Sequence, residues 1–107
     1  MQWSVETHDG VDDEIAALPD ELRAKLMRLL ALIESVGLER MHEPHAKHLD
    51  GKLWELRVSA SEGIARGIYV TLTGRRVLVL HVFEKKTQKT PKRAMDLALS
   101  RMKSRMT

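Results

Sequence analysis

The chain has 107 residues, which is enough for one compact domain and too few for two. Hydrophobic residues make up 43% and aromatic residues 4%, so we expect a globular fold with an aliphatic core rather than a disordered chain. The absence of cysteine excludes disulfides, cysteine zinc sites and thiol nucleophiles. The amino terminus lacks the features of a signal peptide, and no apolar run approaches the roughly 18–20 residues of a membrane span. We therefore expect a single cytoplasmic domain over residues 1–107, with no membrane attachment.

The net charge of +3 conceals an uneven distribution along the chain. Residues 1–36 hold three basic and eight acidic side chains, a balance of −5, which leaves +8 for residues 37–107. From Lys85 onward, eight Lys or Arg accompany a single acid, Asp96. A basic second half predicts a surface that binds a polyanion, and the alternative is a solvated basic tail.

The first half of the chain predicts a strand followed by two helices. Residues 3–5 alternate between apolar and polar side chains, as in a strand. Asp12 or Asp13 is expected to cap a short first helix. Pro19 suits the first turn of a second helix, in which apolar residues recur at steps of four and three until Gly37 ends it. The two helices form either an antiparallel pair or one bent helix.

The second half predicts strands. Residues 38–51 show no clear period and predict a loop. From residue 53 to 59 the period is two, with Trp54 on the core face, and residues 64–72 and 77–83 predict two further strands. Thr90–Pro91, a hydroxyl N-cap followed by a proline, predicts the start of a last helix. The order β-α-α-β-β-β-α predicts an α+β fold.

Three histidines in the predicted loop make a metal site conceivable. His42, His45 and His48 are spaced by three residues, but no regular element holds them and no fourth ligand is evident. We therefore interpret them as polar loop residues and predict no metal.

Basic residues on the predicted strands are more informative. Arg57 lies on the face away from Trp54, and Arg66 lies between two small residues that leave room for a ligand. Antiparallel pairing would bring both arginines and the segment 85–89 onto one surface. In the competing interpretation, Arg57 pairs with Glu55 or Glu62 and the lysines are solvated.

Five segments resemble the phage-related branch of the RelE/HigB toxins, in order and over nearly the whole chain. The last of them, a heptapeptide, is the most specific. They are Lys47-His48-Leu49, Leu53-Trp54-Glu55-Leu56-Arg57, Arg66 three residues before Tyr69, Leu80-His81-Val82-Phe83, and Lys85-Lys86-Thr87-Gln88-Lys89-Thr90-Pro91.

The resemblance implies a helical pair packed on a twisted antiparallel sheet with a C-terminal helix. It also implies a ribosome-dependent endonuclease that cleaves messenger RNA through its own ribose 2′-hydroxyl, without metal or cofactor. Arg57, Arg66 and Lys85 match the basic residues to which the family's catalysis is attributed. Preorganised cations stabilise the charge that develops on the phosphate, so we predict that Arg66 holds the phosphate and that Lys85 acts as general acid or base.

Two further sets of residues follow from the resemblance. Relatives carry a tyrosine, or an acid with a histidine, near the last helix, whereas this chain has Lys92 and Arg93 there. The general base is therefore open, with His81 and His48 as further candidates. The residues expected to bind RNA and the ribosome are Lys47, His48, Lys86, Lys89, Lys92 and Arg93.

The expected partners are the ribosome with its messenger RNA and a cognate antitoxin, a HigA-like helix-turn-helix protein through which operator DNA would be contacted. The acidic residues 1–36 are a candidate docking region for the antitoxin. Two alternatives remain: a ParE-like gyrase poison, and an inactive toxin kept as a module that binds antitoxin or DNA. Gyrase poisons generally lack the aligned cations of the sheet face, which favours the nuclease.

Overall fold

The computed structural model describes residues 2–41, 45–61, 63–85 and 89–106. Two helices separate the first strand from four further strands, and a last helix follows. The elements are β1 (Ser4–Thr7), α1 (Val11–Ala16), α2 (Asp20–Val36), a short 3-10 helix (Leu38–Arg40), β2 (Ala46–Asp50), β3 (Leu53–Ala60), β4 (Gly63–Leu72), β5 (Arg76–Glu84) and α3 (Lys92–Met106).

The two helices of the first half are separate, and their ends differ in part from the prediction. Gly10 precedes α1, and no side chain caps that helix, so the caps predicted at Asp12 and Asp13 are wrong. Both aspartates lie inside its first turn, where their charge still favours the positive end of the helix dipole. Helix α2 ends as predicted, because Gly37 has φ +95°, a value that only glycine adopts readily.

The segment predicted as a loop contains strand β2. This strand pairs antiparallel with β3, and the register shifts between His48 and Asp50. Of its five residues only Ala46 is fully buried, so the pattern of hydrophobic residues carries almost no period. Pairing with β3 stabilises the strand where the local sequence gives no signal.

The sheet has the strand order β1-β5-β4-β3-β2. Strands β3, β4 and β5 are antiparallel, as predicted, whereas β1 is parallel to β5. The α+β class is confirmed, but the sheet is mixed rather than wholly antiparallel and has one strand more than predicted. A parallel pair requires a long connection, which α1, α2 and the antiparallel strands supply.

Helices cover both faces of the sheet. On one face, α1 and α2 pack on residues that include Leu56, Val58 and Tyr69. On the other face, Ala94 and Ala98 bring α3 close to β4 and β5. Trp54, which was expected in the core, is 40% exposed. None of the helices that the structure describes has the length and apolar character needed to cross a membrane.

Tyr69 is the sole tyrosine and is 2% exposed, so it reports on the core. Burial raises the pKa of Tyr69 to about 12. The phenol of the unfolded chain has a pKa of about 10, so the unfolded state loses its proton first as pH rises. The stability that neutral Tyr69 contributes is therefore present below about pH 10 and is lost between about pH 10 and 12, by at most about 2.7 kcal/mol.

We accordingly expect Tyr69→Phe to lose less stability than the wild type over this alkaline range. Urea unfolding at about pH 9 and about pH 11 measures the difference, and ultraviolet titration of the phenolate locates its pKa directly. Equal alkaline losses in both proteins would contradict this prediction.

Candidate functional site

The arginines of β3 and β4 meet on the face of the sheet that α3 covers in part. Arg57 lies directly opposite Arg66 in the β3–β4 register, so the prediction that antiparallel pairing brings them together is confirmed. Their exposure differs, because the Arg57 side chain is 25% exposed and that of Arg66 is 0% exposed.

Glu55 lies between the two guanidinium groups and is itself 0% exposed. Its Oε1 accepts hydrogen bonds from Arg57 Nε and Nη2, at 3.3 and 3.1 Å. Its Oε2 lies 3.7 Å from Arg66 Nη1. One carboxylate thus faces two guanidinium groups, which leaves this cluster of Glu55, Arg57 and Arg66 with one surplus positive charge.

Thr90 connects the cluster to the segment that leads into α3. Its hydroxyl accepts a hydrogen bond from Arg66 Nη1 at 3.2 Å and donates a short one to Glu55 Oε2. The hydroxyl predicted to cap the last helix therefore serves the cluster, and the helix begins at Lys92, after Pro91. Thr90 therefore contacts both residues of the buried pair.

The environment of Arg66 is unfavourable for a charge. Burial lowers the pKa of its guanidinium, the Glu55 carboxylate opposes this shift, and the nearby Arg57 adds to it. A guanidinium remains charged in proteins, so Arg66 needs its carboxylate partner. A phosphate that entered beside Arg57 would match the surplus charge and offer Arg57 additional acceptors.

The other predicted basic residues lie around this cluster to different degrees. Lys85 follows β5, and its backbone N–H donates to Ile64 O at 2.9 Å, at the end of the sheet where Arg57 and Arg66 lie. Lys47 is in register with Glu55 and shares its face. Lys89, Lys92 and Arg93 are exposed around the start of α3, and Lys92 pairs with Asp96 at 2.9 Å. Lys86 lies outside the described residues.

Neither of the histidines considered as the general base contacts the cluster. His48 is in register with Trp54, on the opposite face from Lys47, and its Nε2 lies 2.8 Å from Gly51 O. The structure therefore separates His48 from the other residues predicted to bind RNA. His81 faces α1, where its Nδ1 lies 3.0 Å from Glu14 Oε2.

His81 belongs to a junction that attaches α1 and α3 to the end of β5. Glu14 accepts a hydrogen bond from Val82 N at 3.0 Å and lies 2.9 Å from Arg101 Nη1. Arg101 also donates to Leu80 O at 2.9 Å. These contacts bind the edge of β5 at the positions that follow the end of β1. His81 therefore has a structural role at this junction.

Sequence reasoning considered Glu55 only as a possible partner of Arg57, and it missed the contacts of Thr90 altogether. The sequence did contain a signal for Glu55. It lies two residues before Arg57 on a predicted strand, so the two side chains share a face. Among the residues that the structure describes, no three His, Asp or Glu side chains lie close enough together to bind a metal ion. His42, one of the three loop histidines, lies outside them.

Comparisons with known proteins agree with this architecture. Solved structures with the same fold include Escherichia coli toxin RelE in the free state, as a variant with two arginines replaced by alanine, at 18% identity and a TM-score of 0.64 over 100% of both chains. The RelBE2 toxin–antitoxin complex of Mycobacterium tuberculosis matches at 14% identity and a TM-score of 0.60, covering 79% of this chain and 100% of that one. The RelE–RelB complex of Pyrococcus horikoshii matches at 19% identity and 0.61, covering 78% and 96%.

Sequence comparison gives the family. No protein of curated function is significantly similar to the chain. The profile of the family described as phage derived protein Gp49-like matches residues 13–103, which is most of the chain. The resemblance inferred from the segments around Arg57 and Lys85 is confirmed, and the chain belongs to the phage-derived Gp49-like family and has the RelE toxin fold.

Proposed function

We propose that this protein is the toxin of a toxin–antitoxin pair and that it cleaves messenger RNA on the ribosome. The observation that carries the proposal is the cluster of Glu55, Arg57 and Arg66, with two guanidinium groups on one carboxylate and Arg57 open to solvent. Surplus positive charge at a partly covered site suits an oligoanion whose charge increases in the transition state.

The proposed reaction is a transesterification within the RNA. The ribose 2′-oxygen attacks the adjacent phosphorus, the bond from phosphorus to the 5′-oxygen breaks, and the products are a 2′,3′-cyclic phosphate and a 5′-hydroxyl. Arg57 would bind an equatorial phosphate oxygen, which it can reach from its partly exposed position. The buried guanidinium of Arg66 would add to the positive charge that faces the phosphate.

Proton transfer in this reaction needs one group that takes the 2′-hydroxyl proton and one that protonates the leaving 5′-oxygen. Lys85 is our candidate for one of these steps, because it is partly buried at the cluster's end of the sheet.

Access to Arg66 is the main structural requirement of this proposal. The Thr90 hydroxyl is hydrogen-bonded to both Arg66 and Glu55. Direct contact between a phosphate and Arg66 would therefore require Thr90 to shift. If Thr90 stays in place, Arg66 acts through Arg57 and Glu55. In both cases Arg57 is the residue that touches the RNA.

The partners follow from the same proposal. The solved structures of the RelBE2 toxin–antitoxin complex and of the RelE–RelB complex support a cognate antitoxin for this chain. A HigA-like helix-turn-helix antitoxin would also supply the contact with operator DNA. Reaction at the ribosome implies a cytoplasmic protein.

Growth arrest after induction separates the candidate functions. We expect arrest together with new messenger 5′ ends at a fixed position within codons, and neither in an Arg57→Ala variant. A ParE-like gyrase poison is the second candidate, because a fully buried Arg66 is also compatible with a purely structural ion cluster. Arrest with gyrase-dependent DNA breaks and intact messengers would favour that candidate, and no arrest would indicate an inactive toxin.

Binding to ribosomal RNA should depend on the exposed cations around the start of α3. We expect Lys89→Glu with Lys92→Glu to weaken ribosome association at least about tenfold at low salt, and to reduce the salt slope by about 1–2. Lys52→Glu with Lys103→Glu is the matched control, since both lysines are exposed and the change in net charge is the same. Sedimentation with ribosomes at several salt concentrations measures both quantities. Equal effects of the two pairs would show that net charge alone matters.

A further inference from the structure

A pocket beside the 3-10 helix contains most of the aromatic residues of this chain. The sequence has two tryptophans, one tyrosine and one phenylalanine. Both tryptophans and the tyrosine line this pocket, which has a volume of about 300 Å³. Trp54 and Glu55 are adjacent in β3 and therefore point to opposite faces of the sheet. The pocket thus lies on the other face from the cluster of Glu55, Arg57 and Arg66, and its size suits a small planar group.

Trp54 offers an open aromatic surface at this pocket, since it is 40% exposed. The ring of His48 contacts it edge to face, with ring centroids 5.0 Å apart and an angle of 64° between the planes. His48 is itself held by a contact of 2.8 Å between its Nε2 and Gly51 O. The indole is therefore supported on one side and open on another. Exposed indole surface of this kind suits stacking against an unpaired nucleobase.

Glu39 places a carboxylate at the same pocket. Its Oε1 accepts a hydrogen bond from Trp3 Nε1 at 2.9 Å, and its Oε2 lies 3.8 Å from Arg75 Nη1. The Glu39 side chain is 61% exposed, so its oxygens have room for further donors. Because an ionised carboxylate accepts hydrogen bonds and cannot donate them, it favours a ligand edge that carries N–H groups.

Tyr69 adds a phenol to the lining of the pocket. The residue is 2% exposed, and among the residues that the structure describes no group hydrogen-bonds its hydroxyl. A buried hydroxyl without a partner is unfavourable. A ligand with polar atoms at its rim would supply the missing hydrogen bond, whereas an apolar side chain would not.

Two arginines accompany Glu39 at the surface. Arg40 follows it in the 3-10 helix, Arg75 lies beside it, and both are exposed. The three side chains together carry one surplus positive charge. A phosphate attached to a base in the pocket would therefore meet a complementary charge.

We propose that this pocket binds an unpaired guanine of single-stranded RNA, with the ring against Trp54 and the N–H donors on Glu39. Guanine has two adjacent donors, N1–H and N2–H, which one carboxylate can accept together. Adenine and cytosine place a ring-nitrogen acceptor beside their amino group, and uracil has a single N–H between two carbonyl groups. The RNA source rests on the function proposed above, whereas the preference for guanine can be measured without cleavage.

Oligonucleotides that cannot be cleaved test this inference. Heptamers of 2′-O-methyluridine with one guanosine or one adenosine lack the 2′-hydroxyl that the proposed reaction needs. We expect the guanosine heptamer to bind at least about tenfold tighter than the adenosine heptamer. Guanosine monophosphate should bind at least about tenfold more weakly than the guanosine heptamer, because it lacks the neighbouring phosphates. The indole N–H signals of Trp3 and Trp54 report directly on the pocket by nuclear magnetic resonance, and we expect both to shift.

Two variants locate the binding. Trp54→Leu removes the stacking surface, and we expect it to weaken binding of the guanosine heptamer at least about fivefold. Glu39→Gln keeps an acceptor for Trp3 Nε1 but brings an amide donor to the pocket, so we expect the preference over adenosine to disappear. The matched control combines Glu21→Gln with Leu97→Ala, because Glu21 also lies 3.8 Å from a lysine, Leu97 is 38% exposed, and neither lines the pocket. Circular dichroism checks the fold of each variant.

Equal binding of the two heptamers, or indole signals that do not move, overturns the inference. A guanine preference that both pocket variants retain as fully as the control does so too, because the guanine then binds elsewhere. Tighter binding of guanosine monophosphate than of the heptamer would overturn the RNA source in favour of a free nucleotide. Indole shifts caused by the co-encoded antitoxin and not by the heptamers would assign the pocket to a protein. Loss of messenger cleavage with guanine binding intact would refute the nuclease alone.

Discussion

Arg57→Ala is expected to lower the rate of messenger cleavage on the ribosome by about 10²–10³, while the protein stays folded. Arg57 is the member of the cluster that reaches solvent, at 25% exposure, so it is the group that can meet a phosphate oxygen. Its loss leaves Glu55 paired with Arg66 and bonded to Thr90, which preserves the buried charge balance. Single-turnover cleavage on programmed ribosomes measures the effect, and circular dichroism checks the fold.

Two controls sharpen this comparison. Arg57→Lys keeps the charge but loses the bidentate geometry, so we expect an intermediate rate. Arg76→Ala removes another partly exposed arginine, which pairs with Glu6 at the β1–β5 edge, and should leave the rate unchanged. A rate for Arg57→Ala equal to that of Arg76→Ala would mean that Arg57 takes no part in the reaction.

Glu55→Ala is expected to have the largest effect on stability, a loss of about 3–5 kcal/mol. The substitution removes the Glu55 carboxylate, which lies 3.7 Å from the fully buried Arg66 guanidinium and offsets its charge. Thr90 also loses its acceptor, which loosens the segment before α3. Urea unfolding, with the midpoint and slope fitted together, gives the change in the free energy of unfolding.

A double replacement tests whether the removal of the Glu55 charge from beside Arg66 causes this loss of stability. Glu55→Leu with Arg66→Met replaces the buried pair by apolar side chains, and such exchanges are often neutral or stabilising. We expect the double variant to be more stable than Glu55→Ala and to lack nuclease activity. A double variant no more stable than Glu55→Ala would assign the loss to packing rather than to charge.

Local pattern was sufficient for much of the fold. The apolar steps of α2 and its stop at Gly37 were predictable because one stripe of residues faces the core and one glycine takes a positive φ. The strands β3 to β5 were predictable because they alternate or are buried on both faces. Strand β2 was not, since it has a single buried residue and depends on pairing with β3, whose partner residues lie three to ten positions further along the chain.

The sequence predicted which residues form the candidate site better than it predicted their burial and their hydrogen bonds. Period two aligned Arg57 with the outward face, and pairing with β4 brought Arg66 opposite to it. Arg66 donates a hydrogen bond to Thr90, which is 24 residues distant in sequence and lies just before α3. No spacing rule relates these two positions. The parallel pairing of β1 with β5 is likewise a property of the whole chain path.

The same difference holds for the histidines, whose secondary structure or charge context was easier to predict than their contacts. His81 could be assigned to a strand from its apolar neighbours, but its position beside Glu14 depends on how α1 crosses the end of β5. His48 could be assigned to the basic second half, yet the one-residue alternation of β2 directs it away from Lys47. Both assignments required the sheet register.

We propose that this chain cleaves messenger RNA by attack of the 2′-hydroxyl, with Arg57 at the phosphate. A test uses purified protein, ribosomes programmed with a defined messenger, and analysis of the ends of the products. We predict a cut in the decoding site that leaves a 2′,3′-cyclic phosphate and a 5′-hydroxyl. An intact messenger, or a cut that leaves a 3′-hydroxyl, would contradict the claim.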